Sequence, residues 1–322
     1  WNRSGESQTL PPLYPSYELT ASLLAGMGVK EDFTATGPVR YGHRRTEDRE
    51  IYFVSNRTGN PIEADCRFRV GKGSPQLWDP VTGEQRPLMQ FERADGLTVI
   101  PMKFDTFQSF FVVFAGGSQE SEARIQNFPE LKPIQELSGA WEVAFDPKWG
   151  PFDSAQSRRP GEFVFDQLMD WTKRPEPGIK YYSGTAVYRK VFDLPEPRTL
   201  NPVFLSLGTV HDMARVKLNG KDLGVVWCAP WRVEVTGAIK VGDNQLEIEV
   251  VNRWANRMIG DKQPADANAR TVECPPGFLG GQKIQTGRYT FSTSNPYASK
   301  SSLVSSGLLG PVQIMKAPEQ TN

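Results

Sequence analysis

An all-β chain built of two antiparallel sandwiches is the fold class this sequence predicts, and three observations predict it. Short runs that alternate apolar and polar residues recur about every ten residues, the pattern of half-buried strands. Gly, Pro and Asn-Gly separate them at hairpin spacing. Sustained helical periodicity is nearly absent, and 322 residues are enough for two domains.

Residues 1–38 hold one predicted helix, "SYELTASLLAGMGV" from Ser16 to Val29, with prolines before it and glycines at its end. It is too short to bury a core and reads as an N-terminal arm or the tail of a preceding domain. Residues 39–116 read as a small sandwich with strands "EIYFVSN", "CRFRV", "PQLWDP", "LTVIPM" and "SFFVVFA". A polar, poorly periodic linker covers 117–138. Residues 139–318 read as a second, larger sandwich: "WEVAF", "GTAVYRKVFDLP", "NPVFLSLGTV", "ARVKLNG", "LGVVW", "WRVEVTG", "NQLEIEVVN" and "GLLGPVQIMK". The one helix-like stretch there is "EFVFDQLMDW", residues 162–171. Asn219-Gly220 predicts a type I′ turn, because both central residues tolerate positive φ. Pro230 in "WCAPW" predicts a crossing at one end of the sandwich, since proline cannot donate in a central ladder. A tryptophan on each side of that crossing either seals the core or faces outward as a platform.

Lys plus Arg equals Asp plus Glu at 37 each, so no net field favours nucleic acid or an anionic membrane, and a neutral partner fits better. No apolar run approaches a bilayer span. Cys66, Cys228 and Cys274 are scattered, without the spacing of a disulfide framework or a zinc site. Asn2 and Asn56 begin Asn-x-Ser/Thr triplets, which leave the compartment open. The chain begins with Trp1 and has no signal-peptide pattern, so it is expected to be a piece of a longer protein.

"IKYYSGTAVYRKVFDLP" followed by "VFLSLGTVHDMARVKLNGKDLGVVWCAPWRVEVTGAIKVGDNQLEIEVVN" resembles the galactose-binding-like jelly roll of glycoside hydrolase family 2 sugar-binding domains. "HRRTEDREIYFVSNRT", "LWDPVTGE", "DWTKRPEPGIKYYSGTAVYRK" and "NRWANRMIGD" together resemble the C-terminal part of family 106 glycoside hydrolases, the α-L-rhamnosidases, over most of residues 40–315. The resemblance implies a (β/α)8 catalytic domain upstream, acting with a carboxylate pair and a calcium ion. Such a barrel needs about 250 residues, and only about forty precede the first sandwich. The expectation is a non-catalytic accessory region that supports a missing upstream catalytic domain and meets carbohydrate. A free-standing lectin-like module is the alternative. If the longer protein degrades polysaccharide in a bacterium, it would be secreted or periplasmic.

Glycoside hydrolysis needs two carboxyl groups facing each other across the sugar. Asp166 and Asp170 would share a face if 162–171 were helical, and Glu247 and Glu249 alternate along a strand, but a solvated turn and a solvated strand face explain them as well. No catalytic residue is therefore assigned. His43 and His211 are the only histidines, and no GxSxG motif is present. His43, Arg44 and Arg45 form a basic cluster just before the first expected strand: either a charged edge or, by the resemblance, a contact to the catalytic domain. Sugars stack C–H faces on aromatic rings and bond their hydroxyls to polar side chains. That chemistry singles out Trp227 and Trp231 with Arg232 and His211, Trp254 with Asn252 and Arg253, and Trp171 with Tyr181 and Tyr182. Each of these aromatics has a second reading, as core plug or domain contact. For the calcium that galactose-binding-like folds hold, Asp146, Asp153 and Glu162 are the candidate donors, without a DxDxDG loop. No other metal site is indicated.

Overall fold

The computed structural model describes residues 17–117, 126–146, 161–195, 202–260, 262–263 and 296–317. Strands make up 49% of it and helices 9%. The chain divides into two compact units, residues 1–128 and 129–322. Asn2, Asp153 and Cys274 lie outside the described residues.

The first unit opens with helix α1, Tyr17–Gly26, which leaves Leu19, Leu23 and Leu24 exposed, as is Met27 just beyond it. Strands β1 (Phe33–Ala35), β4 (Ile62–Phe68), β8 (Leu97–Phe104) and β7 (Glu92–Ala94) form one antiparallel sheet in the order β1-β4-β8-β7. Strands β2 (Val39–Arg45), β3 (Arg49–Asn56), β9 (Ser109–Ala115), β5 (Ser74–Trp78) and β6 (Gln85–Pro87) form the second, in the order β2-β3-β9-β5-β6. Alternate residues from both sheets meet in one core, including Phe68, Ile100 and Phe104 from the first and Tyr52, Leu77 and Val112 from the second. Cys66 sits among them, and burial pushes its thiol up to about 12.

Four strands of this unit, β1, β2, β6 and β7, were not legible as alternation. β2 is one of them: an edge strand that is mostly exposed, in which only Val39 and Tyr41 are apolar. His43, Arg44 and Arg45 therefore lie within a strand rather than before the first one. The Asn56 triplet is a turn device. Its amide nitrogen donates to the Asn60 carbonyl at 2.7 Å and the Asp105 carbonyl at 3.0 Å. Its oxygen accepts from the Thr58 N–H at 2.8 Å and hydroxyl at 2.7 Å. Buried and fully bonded, this amide is closed to glycosylation in the folded chain.

In the second unit, β12 (Glu162–Phe165), β11 (Trp141–Phe145), β13 (Thr185–Leu194), β19 (Gly242–Val251), β16 (Met213–Leu218) and β17 (Lys221–Val226) form a six-stranded antiparallel sheet, in that order. A four-stranded sheet runs β10 (Lys132–Glu136), β21 (Gln313–Lys316), β14 (Val203–Ser206), β18 (Arg232–Glu234), and β15 (Thr209–His211) pairs with β20 (Gly307–Gly310). Between them lies a core that includes Trp141, Phe145, Trp171, Tyr188, Leu205 and Ile314. Asn219 and Gly220 have φ of 52° and 80°, the geometry expected for the β16–β17 hairpin. The helix expected over 162–171 is a correction. Residues 162–165 are β12, paired with β11, 166–170 are irregular, and Trp171–Lys173 make one 3-10 turn. Phe163 and Phe165 alternate into the core, and pairing to a neighbouring strand outweighs the local helical reading.

Candidate functional site

Strand register brings several candidates to one end of the six-stranded sheet. Phe145, Ala186, Val250, Ala214 and Val226 form one row across β11, β13, β19, β16 and β17. Asp146, Asn252 to Trp254, His211 with Asp212, and Trp227 all emerge beyond that row. Trp227 leaves β17 and Trp254 follows β19, two strands apart, or about 10 Å at the backbone. The two residues are 55% and 60% exposed. Between them Arg253 Nε donates to Asp212 Oδ2 at 3.0 Å. Exposed indoles and a guanidinium–carboxylate pair at the same end of a sheet suit a sugar, whose C–H face stacks and whose neighbouring hydroxyls bond in pairs. Asp212 went unnoticed in the sequence; its only signal was its place at the mouth of β16.

The outward set of Trp254 follows from two buried asparagines on either side of it. Asn252 Nδ2 donates to the Tyr182 carbonyl and to Ser306 Oγ, both at 2.9 Å, and its Oδ1 accepts from the Gly184 N–H at 2.9 Å. Asn256 Nδ2 donates to the Val304 carbonyl at 2.6 Å and to Ser306 Oγ at 3.0 Å, at the head of helix α2, Ala255–Gly260. Asn252 is thus a positioning residue: its amide is buried and bonded inside the protein rather than presented to a ligand. Asn252→Ala leaves the Gly184 N–H without its acceptor, and an expected loss of about 2 kcal/mol in urea denaturation tests this. Trp254→Ala, at an exposed ring, is expected to change stability by less than about 0.5 kcal/mol.

The remaining candidates separate by burial. Trp231 is half-buried and packs on the core, whereas Trp227 is exposed, so the two tryptophans around "CAP" differ in burial. Arg232 is exposed on β18, in the other sheet, opposite Ser206. Trp171 and Tyr182 are core residues, and burial pushes the Tyr182 phenol up to about 12. His43 is engaged inside the first unit: Nδ1 lies 2.9 Å from Asp32 Oδ2, Nε2 lies 2.8 Å from Glu50 Oε2, and the ring stacks on Tyr52 at 4.0 Å. Arg45 pairs with Glu50, while Arg44 is exposed and bonds the His43 carbonyl.

Asp166 and Asp170 do not form a pair on one helix face. Asp166 is exposed, whereas Asp170 is buried. Burial pushes the Asp170 carboxyl up, but hydrogen bonds from the Thr172 N–H and hydroxyl, Ser305 and the Ser306 N–H outweigh it and hold the group below the usual aspartate value. A proton donor needs the opposite shift. Glu247 and Glu249 face outward in a cross-strand ladder, Glu247 to Arg189 at 2.9 Å and Glu249 to Lys217 at 2.6 Å. Among the described residues no three His, Cys, Asp or Glu side chains gather as a metal site. Asp146 and Glu162 are thus not members of such a group.

Residues 14–93 match the α-L-rhamnosidase model of glycoside hydrolase family 106. Residues 167–290 match the galactose-binding domain-like model of glycosyl hydrolase family 2. The chain is similar to a rhamnosidase from Novosphingobium sp. PP1Y, with a TM-score of 0.78 and 31% identity, over 92% of this chain and 26% of that one. It is 39% identical over 189 residues to a putative β-glucuronidase of Formosa agariphila, a match covering 57% of this chain and 16% of that protein. The chain thus spans a minor part of each of these relatives. Two glycoside hydrolase family models thus match it: the family 106 α-L-rhamnosidase model in the first unit and the family 2 galactose-binding-like model in the second.

Proposed function

We propose that this chain is the accessory portion of an α-L-rhamnosidase-like enzyme, and that its second unit meets carbohydrate where Trp227 and Trp254 emerge. The observation that carries the sugar site is the joint exposure of those two indoles around the Arg253–Asp212 pair. An accessory role is supported by the carboxylates on hand. Asp170 is held ionised by structural hydrogen bonds, and Glu247 and Glu249 are held by cations, so none is arranged as a general acid. The exposed leucines of α1 offer the first unit an apolar surface for a neighbouring catalytic domain. In this reading that domain, its carboxylate pair and any calcium come from sequence outside the 322 residues.

Calorimetry with rhamnose, galactose and plant oligosaccharides tests the sugar site. Weak binding, in the millimolar range of a shallow surface site, is expected for the chain, and loss of it in the Trp227→Ala, Trp254→Ala double variant. Undiminished binding by that variant would move the site elsewhere. In parallel, the chain is expected to leave aryl α-L-rhamnosides intact under conditions where the full-length gene product cleaves them. Turnover by the chain that disappears in Asp170→Asn would overturn the accessory role.

A further inference from the structure

We infer that the outer face of the five-stranded sheet in the first unit is a second binding surface, shaped for uronate residues of an acidic oligosaccharide. Register aligns Phe53 of β3, Phe111 of β9 and Trp78 of β5 in one row across that sheet. The Phe53 and Phe111 rings lie 5.1 Å apart at 57°. At the edge of this aromatic row stands Phe107, 67% exposed and at a φ of 56°. A bulky residue rarely adopts that backbone conformation, and an exposed ring gains little burial in return, so core packing does not explain this residue.

Its turn is held firmly. The Phe107 N–H donates to the Thr58 carbonyl at 3.2 Å, the Thr106 hydroxyl to the Gly59 carbonyl at 3.3 Å, and the Asn56 N–H and amide to the carbonyls of Gln108 and Asp105 at 2.9 and 3.0 Å. The turns at 56–60 and 105–108 are thereby zipped together, and between them and the sheet lies an open groove of about 520 Å³. Phe53, Ser55, Asn56, Arg57, Phe107 and Ser109 line it. No carboxylate does, and among the described residues Arg57 makes no ion pair. Aromatic faces take the C–H face of a pyranose, the serine hydroxyls take ring hydroxyls, and a guanidinium takes a carboxylate through two parallel bonds. A neutral sugar would leave the one charge in the groove unused. The site rests on the carbohydrate reading only for the class of its ligand and lies in the other unit from Trp227.

Titration of the full 322-residue chain with trigalacturonate and with its methyl ester tests the inference. The acid is expected to bind about tenfold more tightly than the ester, the strength of one charge-assisted bond. Arg57→Gln is expected to erase that preference. Phe107→Gly is expected to weaken both ligands about tenfold while leaving the melting temperature equal or higher, because glycine accepts positive φ without strain. The Trp227→Ala, Trp254→Ala variant should retain wild-type affinity for trigalacturonate, which separates this site from the one in the second unit. Equal affinity for acid and ester, wild-type behaviour of Arg57→Gln, or loss of binding in the tryptophan variant alone would each overturn it. So would loss of trigalacturonate binding in the full-length gene product, which would make this face a contact between protein domains.

Discussion

Replacing Trp171 by alanine is expected to lower the stability of the second unit by about 3–5 kcal/mol, the cost of a cavity left by a large aromatic side chain in a packed core. The ring is fully buried, with Phe145 edge-on at 5.3 Å and Tyr182 at 5.6 Å, and its Nε1 donates to the Tyr188 hydroxyl. Gly307 lies against the indole: a Cβ there would stand 2.5 Å from Nε1, and its φ of 107° is itself unsuited to a side chain. Gly307→Ala is therefore expected to cost about 3 kcal/mol on its own. The two effects should not add. With the indole gone the new methyl has room, so the double variant is expected to be more stable than the sum of the single losses by at least about 1 kcal/mol. Urea denaturation read in two transitions, one per unit, checks this. Strict additivity, or a loss in the transition of the first unit, would refute the clamp.

Asp170→Asn is expected to lower stability at neutral pH by about 2 kcal/mol, because hydrogen bonds to an ionised acceptor are the stronger ones. The folded carboxyl lies below its ordinary value of 3.8, so its contribution is complete above that value and is lost as pH falls through the lowered one. The gap between wild type and Asp170→Asn should therefore be constant from neutral pH down to about 5 and close below about 4. A gap that persists unchanged at pH 3 would mean that charge is not what Asp170 supplies. The carboxylate accepts from the Thr172 N–H at 2.9 Å and the Ser306 N–H at 3.1 Å, so it ties the 3-10 turn to the segment that Asn252 and Asn256 hold behind Trp254. Stability at this point and the set of the candidate sugar site are linked through Ser306.

The all-β class and the turns were legible because each depends on neighbours along the chain. β11, β16 and β19 alternate strictly, β13 does so except at Lys190, and Asn219-Gly220 takes the positive φ its residue types favour. The elements that escaped detection have weak local signals. β2 is mostly exposed, with only Val39 and Tyr41 apolar, and β12 lies in a stretch whose apolar spacing fits helix and strand alike until β11 pairs with it.

Residue type and order by themselves determined which side chains were chemically suited to sugar and offered as carboxylate pairs only Asp166 with Asp170 and Glu247 with Glu249. Burial was decided only by the tertiary structure, because it depends on residues distant in sequence. Trp227 and Trp231 are indistinguishable as letters, yet the first projects from the end of β17 while the second closes the core. Asn252 looked like a ligand contact and became an internal brace once Gly184, Tyr182 and Ser306 closed around it. Phe107 drew no notice at all, since neither an exposed ring nor a positive φ is written in a sequence. Both arise when two turns some fifty residues apart are joined by hydrogen bonds.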